Sequence, residues 1–392
     1  MKDRILSILG QPTPTTLKRV NASFEAQAAY NSDQIIDLRL VSNNQSLKDG
    51  MVQIQNVVKT LSRNQQLLLV GLRSEDCTGN QSIFQRALVG ITKSLAKEIG
   101  HRAQTVNLIR IPKSTDLGEF AFVNSFFTTG RSAFITGQVI PVSGSTVQGS
   151  LRDKVCLVTG GAGGIGSATV KRLESEGSKI ILVDVQAMLD NAGNPTSENI
   201  KPFAADLTNE KDLSNLIDHV RTEYGHVDVL INNAGITRDR TLGKMSEAQW
   251  DQVLNINLMA VLNLTDQLLE ANLISNNGTI INTSSISGIA GNFGQTNYTA
   301  TKAALIEMGA HYSEKLSGKG ITVNAIAPGY IETAMVKTMP FVTRFMAERL
   351  TCLLQAGTPE DIAEAMAFLT HPGSRGIKGE VLRVCGGSFL GA

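Results

Sequence analysis

A tyrosine and a lysine four residues apart are the best candidates for acid–base chemistry in this sequence. Tyr298 and Lys302 lie at the start of a helical pattern, so both side chains project from one helix face. A nearby ammonium group favours the phenolate and is therefore expected to lower the pKa of Tyr298. The pair is predicted to act as a general acid with a cationic partner. Taken singly, each residue also has an ordinary explanation, a packed tyrosine and a solvated lysine.

A serine and a glycine-rich turn extend this candidate site. Ser285 follows the apolar run 279–282 and its turn, and its hydroxyl can stabilise an oxygen that develops negative charge. Residues 159–166, Thr-Gly-Gly-Ala-Gly-Gly-Ile-Gly, join a predicted strand to a predicted helix, which is the context of a dinucleotide site. Asp184 ends the next predicted strand, where a carboxylate can bind ribose hydroxyls. A structural loop and an ordinary turn aspartate are the alternatives.

Alternating strands and helices must position these residues. Apolar runs at 154–158, 180–183, 229–231, 279–282, 321–327 and 380–384 are separated by helical patterns, among them 164–176, 213–224 and 300–316. This order predicts an α/β fold, a Rossmann-type doubly wound parallel sheet over residues 151–392.

Residues 1–150 repeat the second half of this pattern in a weaker form. The run 87–96 is helical, the segment 104–109 resembles 320–326, and the segment 135–144 resembles 377–386. These blocks occur in the same order, which indicates an internal duplication, with chance similarity as the alternative. Aligning the helices places Gln81 opposite Tyr298 and Gln85 opposite Lys302, so residues 1–150 are predicted to be a degenerate, non-catalytic Rossmann-like domain. The Ser- and Gly-rich run 143–150 is the predicted linker.

Composition excludes several classes of function. The 392 residues carry 36 Lys and Arg against 35 Asp and Glu, a net charge of +1, which disfavours nucleic-acid and membrane partners. The N-terminus lacks the apolar core of a secretory signal and no apolar run is long enough to cross a bilayer, so a cytoplasmic location is expected. Four scattered cysteines without CxxC spacing are predicted to be free thiols rather than metal ligands or redox centres.

With the motifs Asn-Asn-Ala-Gly at 232–235, Tyr-Thr-Ala-Thr-Lys at 298–302 and Pro-Gly at 328–329, the C-terminal 240 residues resemble the short-chain dehydrogenase/reductase family. Within it they look most like the 3-oxoacyl-[acyl-carrier-protein] reductases. The added N-terminal copy resembles their high-molecular-weight branch, in which a degenerate flavodoxin-like domain precedes the reductase.

The resemblance implies roles for further residues. Asn257 would order a water that connects Lys302 to solvent, completing a tetrad with Ser285 and Tyr298, and Lys302 would also hold the nicotinamide ribose. In the cofactor site, residues 206–207 would lie near adenine, 233–235 would line the ribose side, and 331 and 333 would approach the nicotinamide amide. The predicted cofactor residues are Gly160, Gly164, Ile165, Gly166, Asp184, Asp206, Leu207, Asn233, Ala234, Gly235, Tyr298, Lys302, Pro328, Gly329, Ile331 and Thr333.

NAD(H) is the predicted cofactor in preference to NADP(H). The carboxylate of Asp184 would repel a 2′-phosphate, and Gly163 stands where NADPH-using relatives often place Arg. Lys171 and Arg172 lie further along the helix and are expected to be solvated.

Three functions remain open at this point. The first is reduction of 3-oxoacyl thioesters on acyl carrier protein or coenzyme A, the second is an alcohol dehydrogenase for another small carbonyl, and the third is a nucleotide-binding scaffold. The segment 334–357 carries apolar side chains suited either to an acyl-chain lid or to a core, namely Met335, Met339, Phe341, Phe345, Met346 and Leu350. A homodimer through the helices of Asn257 and Tyr298 is expected from the resemblance.

Overall fold

Two parallel sheets, of four and seven strands, organise the part of the chain that the computed structural model describes, residues 15–20, 23–24, 32–144, 147–193, 195, 197–333, 345 and 347–389. The chain divides into two units. The first unit contains Met1–Val147, Gly329–Asp361 and Val384–Ala392, and the second contains Gln148–Pro328 and Ile362–Arg383. The domain boundary predicted near residue 150 stays a prediction.

The sheet of the first unit has the order β1-β2-β3-β4. Its strands are β1 (Ile35–Asp37), β2 (Gln66–Leu72), β3 (Thr105–Ile111) and β4 (Val139–Pro141), and its helices are α1 (Asn44–Thr60), α2 (Gln81–Ile99) and α3 (Ala121–Thr128). Every residue of β2 is buried, as expected for a parallel strand covered on both faces.

The sheet of the second unit has the order β11-β10-β9-β8-β5-β6-β7. Its strands are β5 (Val155–Thr159), β6 (Lys179–Asp184), β7 (Ile200–Ala204), β8 (Val227–Asn232), β9 (Ile274–Thr283), β10 (Thr322–Pro328) and β11 (Val381–Val384). The interior strand β5 is wholly buried, whereas β7 is largely exposed and tolerates Pro202 because an edge strand can lack an amide donor. The predicted doubly wound parallel α/β fold is confirmed.

Helices cover this sheet between successive strands. They are α4 (Gly164–Glu174), α5 (Gln186–Ala192), α6 (Glu210–His219), α7 (Glu247–Leu254), α8 (Ala260–Glu270), α9 (Ile286–Ala290), α10 (Thr296–Lys315) and α11 (Pro359–Thr370). Side chains cap several of their first turns: Asn209 accepts from two amides of α6, and Ser246 forms a capping box with Gln249 at α7. A π-helical turn, Asn255–Met259, joins α7 to α8.

The repeat in the sequence is matched by equivalent hydrogen bonds in the two units. Asn107 of β3 donates from Nδ2 to the carbonyl of Ile135 (2.9 Å) and accepts from the amide of Gln138 (3.1 Å). Asn324 of β10 does the same with Ile377 (2.9 Å) and Glu380 (3.0 Å). The order β1-β2-β3-β4 therefore repeats β8-β9-β10-β11, and the described part of the first unit has no strand equivalent to β5.

Candidate active site

The glycine-rich turn follows β5, at the point where the strand order reverses between β8 and β5. Gly160 has a φ of +63°, and a Cβ there would lie 2.9 Å from the Cα of Ala234. A Cβ at Gly166 would collide with the carbonyl oxygen of Gly160. Both positions therefore require glycine. Helix α4 begins at Gly164 with no side-chain cap on its first amides.

Thr159 ties this turn to the loop after β8. Its Oγ1 accepts hydrogen bonds from the amides of Asn233 (3.0 Å) and Ala234 (3.1 Å). Asn233 returns Nδ2 hydrogen bonds to the carbonyls of Thr159 and Gly160, each 3.2 Å long. Thr159 is not among the cofactor residues predicted from the sequence, although a hydroxyl at the last position of the strand before a glycine turn was the available signal.

Asp184 lies at the end of β6, as predicted. Its Oδ2 accepts from the amide of Ala162 in the glycine turn (3.0 Å), and its Oδ1 accepts from the amide of Val185 (2.9 Å). Each oxygen keeps a free lone pair for a further donor. Asp206 lies beyond β7, exposed, with its Oδ1 accepting from Thr208, and Leu207 is half-buried.

These features fit a dinucleotide. The turn is held open by glycine, the uncapped amides of α4 suit a phosphate, and a carboxylate stands at the end of the adjacent strand. When bound there, NAD(P)(H) supplies the hydride.

Tyr298 and Lys302 share one face of α10, as the spacing predicts. The Lys302 Nζ lies 5.6 Å from the centroid of the Tyr298 ring and donates to the carbonyl of Thr283 at the end of β9 (2.6 Å). The lysine is 3% exposed, and burial lowers its pKa to about 8. The lysine is thus held at the carboxyl edge of the sheet.

Ser285 is brought beside Tyr298 by the short helix that it caps. Its Oγ accepts from the amide of Ser287 (3.1 Å) at the start of α9. Gly288 allows α9 to approach α10 closely, since a Cβ there would lie 2.7 Å from the carbonyl carbon of Lys302. The Ser285 side chain is close enough to the Tyr298 hydroxyl to favour the phenolate and so to act against the effect of burial on the tyrosine pKa.

The predicted direction of the Tyr298 pKa is wrong. Burial raises this pKa, and the Ser285 side chain opposes the rise without reversing it. The reason is physical: desolvation penalises the phenolate, and a lysine whose own charge is disfavoured by burial does not compensate.

Asn257 lies in the π-helical turn, fully buried. Its amide group pairs with both main-chain groups of Ile236, accepting from the N–H (2.8 Å) and donating to the carbonyl (2.9 Å). A Cβ at Gly235 would lie 3.3 Å from the Asn257 Oδ1 and 3.4 Å from the Lys302 Nζ. Asn257, Gly235 and Lys302 therefore converge, and π turns of this kind recur at functional sites. The water predicted to link Asn257 to Lys302 stays a prediction.

Asn297 is a site residue that sequence reasoning missed. It is 2% exposed, its Nδ2 donates to the carbonyls of Arg238 and Gln249 (3.2 Å each), and its Oδ1 accepts from the amide of Tyr298 (2.8 Å). It therefore fixes the first turn of α10. Only its position next to Tyr298 marked it in the sequence.

The remaining predicted cofactor residues start at the end of β10. Pro328 is its last residue, and Gly329, Ile331 and Thr333 belong to the first unit. There Ile331 is 4% exposed and forms a parallel bridge with Gly357, while the amide of Thr333 donates to the Ile331 carbonyl (2.9 Å).

The predicted lid falls mostly outside the described residues. Met335, Met339, Phe341 and Met346 all do so. Phe345 is 7% exposed and Leu350 is 57% exposed, so of these two only Leu350 offers an apolar surface.

The described residues contain no cluster of three or more His, Cys, Asp or Glu side chains that could hold a metal. No helix in the described ranges is long and apolar enough to cross a membrane.

Comparison with known proteins agrees with this geometry. The family model described as short chain dehydrogenase matches residues 154–340. The chain is 39% identical over 246 residues to the 3-oxoacyl-[acyl-carrier-protein] reductase FabG of Thermotoga maritima, covering 61% of this chain and 99% of that protein. It is 37% identical over 242 residues to the FabG of Vibrio cholerae, covering 62% and 99%.

A relative with a different name has a comparable identity. The acetoacetyl-CoA reductase of Allochromatium vinosum is 36% identical over 243 residues, covering 60% of this chain and 99% of that protein. The chain belongs to the short-chain dehydrogenase family. It is an oxidoreductase of that family that resembles FabG.

Proposed function

We propose that this protein reduces 3-oxoacyl thioesters, on acyl carrier protein or coenzyme A, to 3-hydroxyacyl thioesters with NADH. The observation that carries the proposal is the meeting of Ser285, Tyr298 and Lys302 in the unit that holds the glycine turn. Two of the similar proteins are named for such reductions, one on acyl carrier protein and one on acetoacetyl-CoA.

Tyr298 is the proton donor of the proposed reaction. Because burial raises its pKa, the hydroxyl stays protonated at neutral pH and can pass its proton to the substrate oxygen as the C3 carbon accepts hydride. Ser285 lies within hydrogen-bonding reach of the same hydroxyl and would donate to that oxygen, stabilising its developing charge.

Lys302 has two tasks in this proposal. Its ammonium would hold the nicotinamide ribose, and its charge would favour the phenolate that Tyr298 becomes after proton transfer. Asn257 would support proton return, since its side chain fixes the loop at Ile236 beside Lys302.

The preference for NADH is assigned to Asp184. Its carboxylate is anchored by the amides of Ala162 and Val185 and would accept from the ribose hydroxyls. A 2′-phosphate in the same place would meet a fixed negative charge, and Gly163 offers no cation to offset the repulsion.

The decisive assay compares acetoacetyl-CoA with a panel of simple ketones, each with NADH and with NADPH. Higher kcat/KM for acetoacetyl-CoA with NADH supports the proposal. Higher kcat/KM for a simple ketone would make the protein a different alcohol dehydrogenase. Binding of NADH without turnover of any carbonyl would make it a nucleotide-binding scaffold.

We also propose a cytoplasmic homodimer. All four cysteines are free thiols, which is typical of a reducing compartment. The predicted dimer contact uses the helices of Asn257 and Tyr298, and light scattering that gives a monomer at micromolar concentration would contradict it.

A further inference from the structure

The first turn of α10 is capped from inside the helix. Gln295, at the N-cap position, makes no side-chain hydrogen bond to the first amides of the helix. Asn297 supplies a cap instead, because its Oδ1 accepts from the amide of Tyr298 (2.8 Å). The first amides of a helix have no partner within the helix, so such a bond fixes the local backbone. The backbone of Tyr298 is therefore held by the residue that precedes it.

The other end of the Asn297 side chain reaches two further elements. Its Nδ2 donates to the carbonyl of Arg238, in the loop after β8, and to the carbonyl of Gln249, in the first turn of α7, each over 3.2 Å. The residue is 2% exposed, and both N–H groups and the oxygen have partners. Any other orientation of the side chain would leave buried polar groups unpaired, which is costly. One side chain thus connects α10, α7 and the loop after β8.

The loop after β8 is itself anchored, so it can serve as a reference for Tyr298. Arg238 Nε donates to Gln252 Oε1 of α7 (2.8 Å), and the amide of Arg240 donates to the carbonyl of Gly294 (2.7 Å). These bonds hold the loop on both sides of the carbonyl that Asn297 uses.

The same loop faces the lysine of the site. A Cβ at Gly235, near the start of the loop, would lie 3.4 Å from the Lys302 Nζ, and the next residue, Ile236, is paired with Asn257. The loop therefore lies beside Lys302 at one end and is joined through Asn297 to Tyr298 further along.

Asn324 shows what a buried asparagine of the same unit does without this connection. It is 1% exposed and also joins main-chain groups, donating to the carbonyl of Ile377 and accepting from the amide of Glu380. Both partners belong to the segment before β11, so Asn324 serves the packing of the sheet. It is a natural control for the loss of a buried asparagine.

We propose that Asn297 is a positioning residue for proton transfer: it fixes the Tyr298 hydroxyl relative to Lys302 by tying the first turn of α10 to the loop after β8 and to α7. The inference rests on the proposed function, because that function makes Tyr298 the proton donor.

Three variants test this role. Asn297→Ala removes all three hydrogen bonds, whereas Asn297→Asp keeps an acceptor for the Tyr298 amide and loses both donors. Asn324→Ala is the control. Steady-state kinetics with acetoacetyl-CoA gives kcat and its solvent isotope effect, and titration gives the NADH affinity. Fluorine NMR of protein labelled with 3-fluorotyrosine reports on the ring itself, since the chain has only five tyrosines and Tyr298→Phe identifies the signal of Tyr298.

We expect Asn297→Ala and Asn297→Asp to lower kcat by about tenfold to a hundredfold, because small displacements of a reacting group are costly. The solvent isotope effect on kcat should rise as proton transfer becomes the slow step. NADH affinity should stay at the wild-type value, because Thr159 holds the glycine turn separately. The fluorine signal of Tyr298 should move in both variants. Asn324→Ala should lower the Tm and leave kcat, the isotope effect and this signal unchanged.

Three results would overturn the inference. The first is a wild-type kcat in either Asn297 variant, which for Asn297→Asp would show that the bonds to Arg238 and Gln249 are not needed. The second is an equal loss of kcat in Asn324→Ala, which would indicate general destabilisation. The third is an unchanged Tyr298 signal in folded Asn297 variants. If Asn297→Ala does not fold, the nearly isosteric Asn297→Asp decides.

Failure of the proposed function would be recognised separately. Wild-type protein that binds NADH but reduces no thioester would refute that function. The fluorine signal needs no turnover, so it would still show whether Asn297 positions the Tyr298 ring.

Discussion

At the scale of single residues, the half-buried Tyr298 differs from Tyr312, the buried tyrosine of the same helix, in what its hydroxyl faces. Tyr298 meets Ser285 at the carboxyl edge of the sheet, whereas Tyr312 donates to Asp266 Oδ1 (2.5 Å) more than three turns further along α10. The same chemical group thus serves two purposes, proton transfer in one place and helix packing in the other.

Replacing each tyrosine by phenylalanine should separate these purposes. Tyr298→Phe removes the proton donor at constant ring volume, so we expect kcat/KM to fall by about 10² to 10⁴ with NADH affinity unchanged. Tyr312→Phe should keep wild-type turnover and lose about 1 kcal/mol of stability. Steady-state kinetics and thermal unfolding measure the two effects. Near-normal turnover of Tyr298→Phe would contradict the role of Tyr298 as proton donor.

The lowered pKa of Lys302 predicts opposite effects of pH on activity and on stability. Its pKa of about 8 in the folded protein lies below the ordinary value of 10.5, so its charge is lost above pH 8. Because Tyr298 stays protonated there, kcat/KM for reduction should decline through loss of the lysine charge, by about tenfold per pH unit.

Between pH 8 and 10.5 the unfolded chain binds more protons at Lys302 than the folded chain does. The contribution of this group to the free energy of unfolding therefore rises with pH in that window. Urea unfolding of wild type and Lys302→Met across the window should show this rise in the wild type alone. Parallel curves for the two proteins would contradict the role of Lys302 burial.

Asp184 should decide between the two cofactors. Asp184→Ala removes the charge that would repel a 2′-phosphate, so kcat/KM with NADPH should rise relative to NADH by about tenfold or more. Asp190→Ala is the matched control, because Asp190 is an exposed aspartate of the neighbouring helix α5 whose Oδ1 accepts from Gln186 Nε2 (2.7 Å). A wild-type protein that uses NADPH as well as NADH would refute the assignment.

At the scale of elements, α2 and α10 are equivalent helices of the repeat that carry different side chains at equivalent positions. Where α10 carries Lys302, α2 carries Gln85, which is 1% exposed. Its Oε1 accepts from the amide of Leu72 (2.8 Å), and its Nε2 donates to the carbonyls of Leu38 and Val41 (2.9 Å each). Lys302 places a cation at this position in the second unit. In the first unit, Gln85 at the equivalent position hydrogen-bonds main-chain groups at the ends of β1 and β2.

Gln85→Ala should therefore change stability and not chemistry. It leaves three buried main-chain groups without their partner, which should cost about 3 kcal/mol of unfolding free energy. The kcat of the folded fraction should equal that of wild type. Lys302→Ala offers the contrast, with loss of kcat, and a kcat of Gln85→Ala as low as that of Lys302→Ala would show that the N-terminal copy is not silent.

At the scale of the whole molecule, the repeat explains why the first unit lacks a dinucleotide turn. Its four strands correspond to β8 through β11, and the strand that precedes the turn in the second unit has no counterpart among its described strands. Instead this unit takes in the segment after β10, held by Phe134, Arg19 and Gln355.

The sequence by itself determined the parallel α/β fold, the repeat, and the meeting of Tyr298 with Lys302. The hydrophobic period, the spacing of glycines and the four-residue helical step are local properties of the chain. They can be read from the sequence without knowledge of tertiary contacts. Thr159 and Asn297 could not be assigned to the site in this way. Their hydrogen bonds join residues that are far apart in the chain, and neither the hydrophobic period nor the residue spacing predicts such pairs.

Only the tertiary structure decided the rest. The rise of the Tyr298 pKa follows from burial, which depends on everything packed around α10 and cannot be read from a neighbouring lysine. The contact of Phe134 with Gly357 joins residues 134 and 357, far apart in the chain, and no periodicity predicts such a pair. Local spacing specifies elements, whereas desolvation and long-range packing exist only after the elements have assembled.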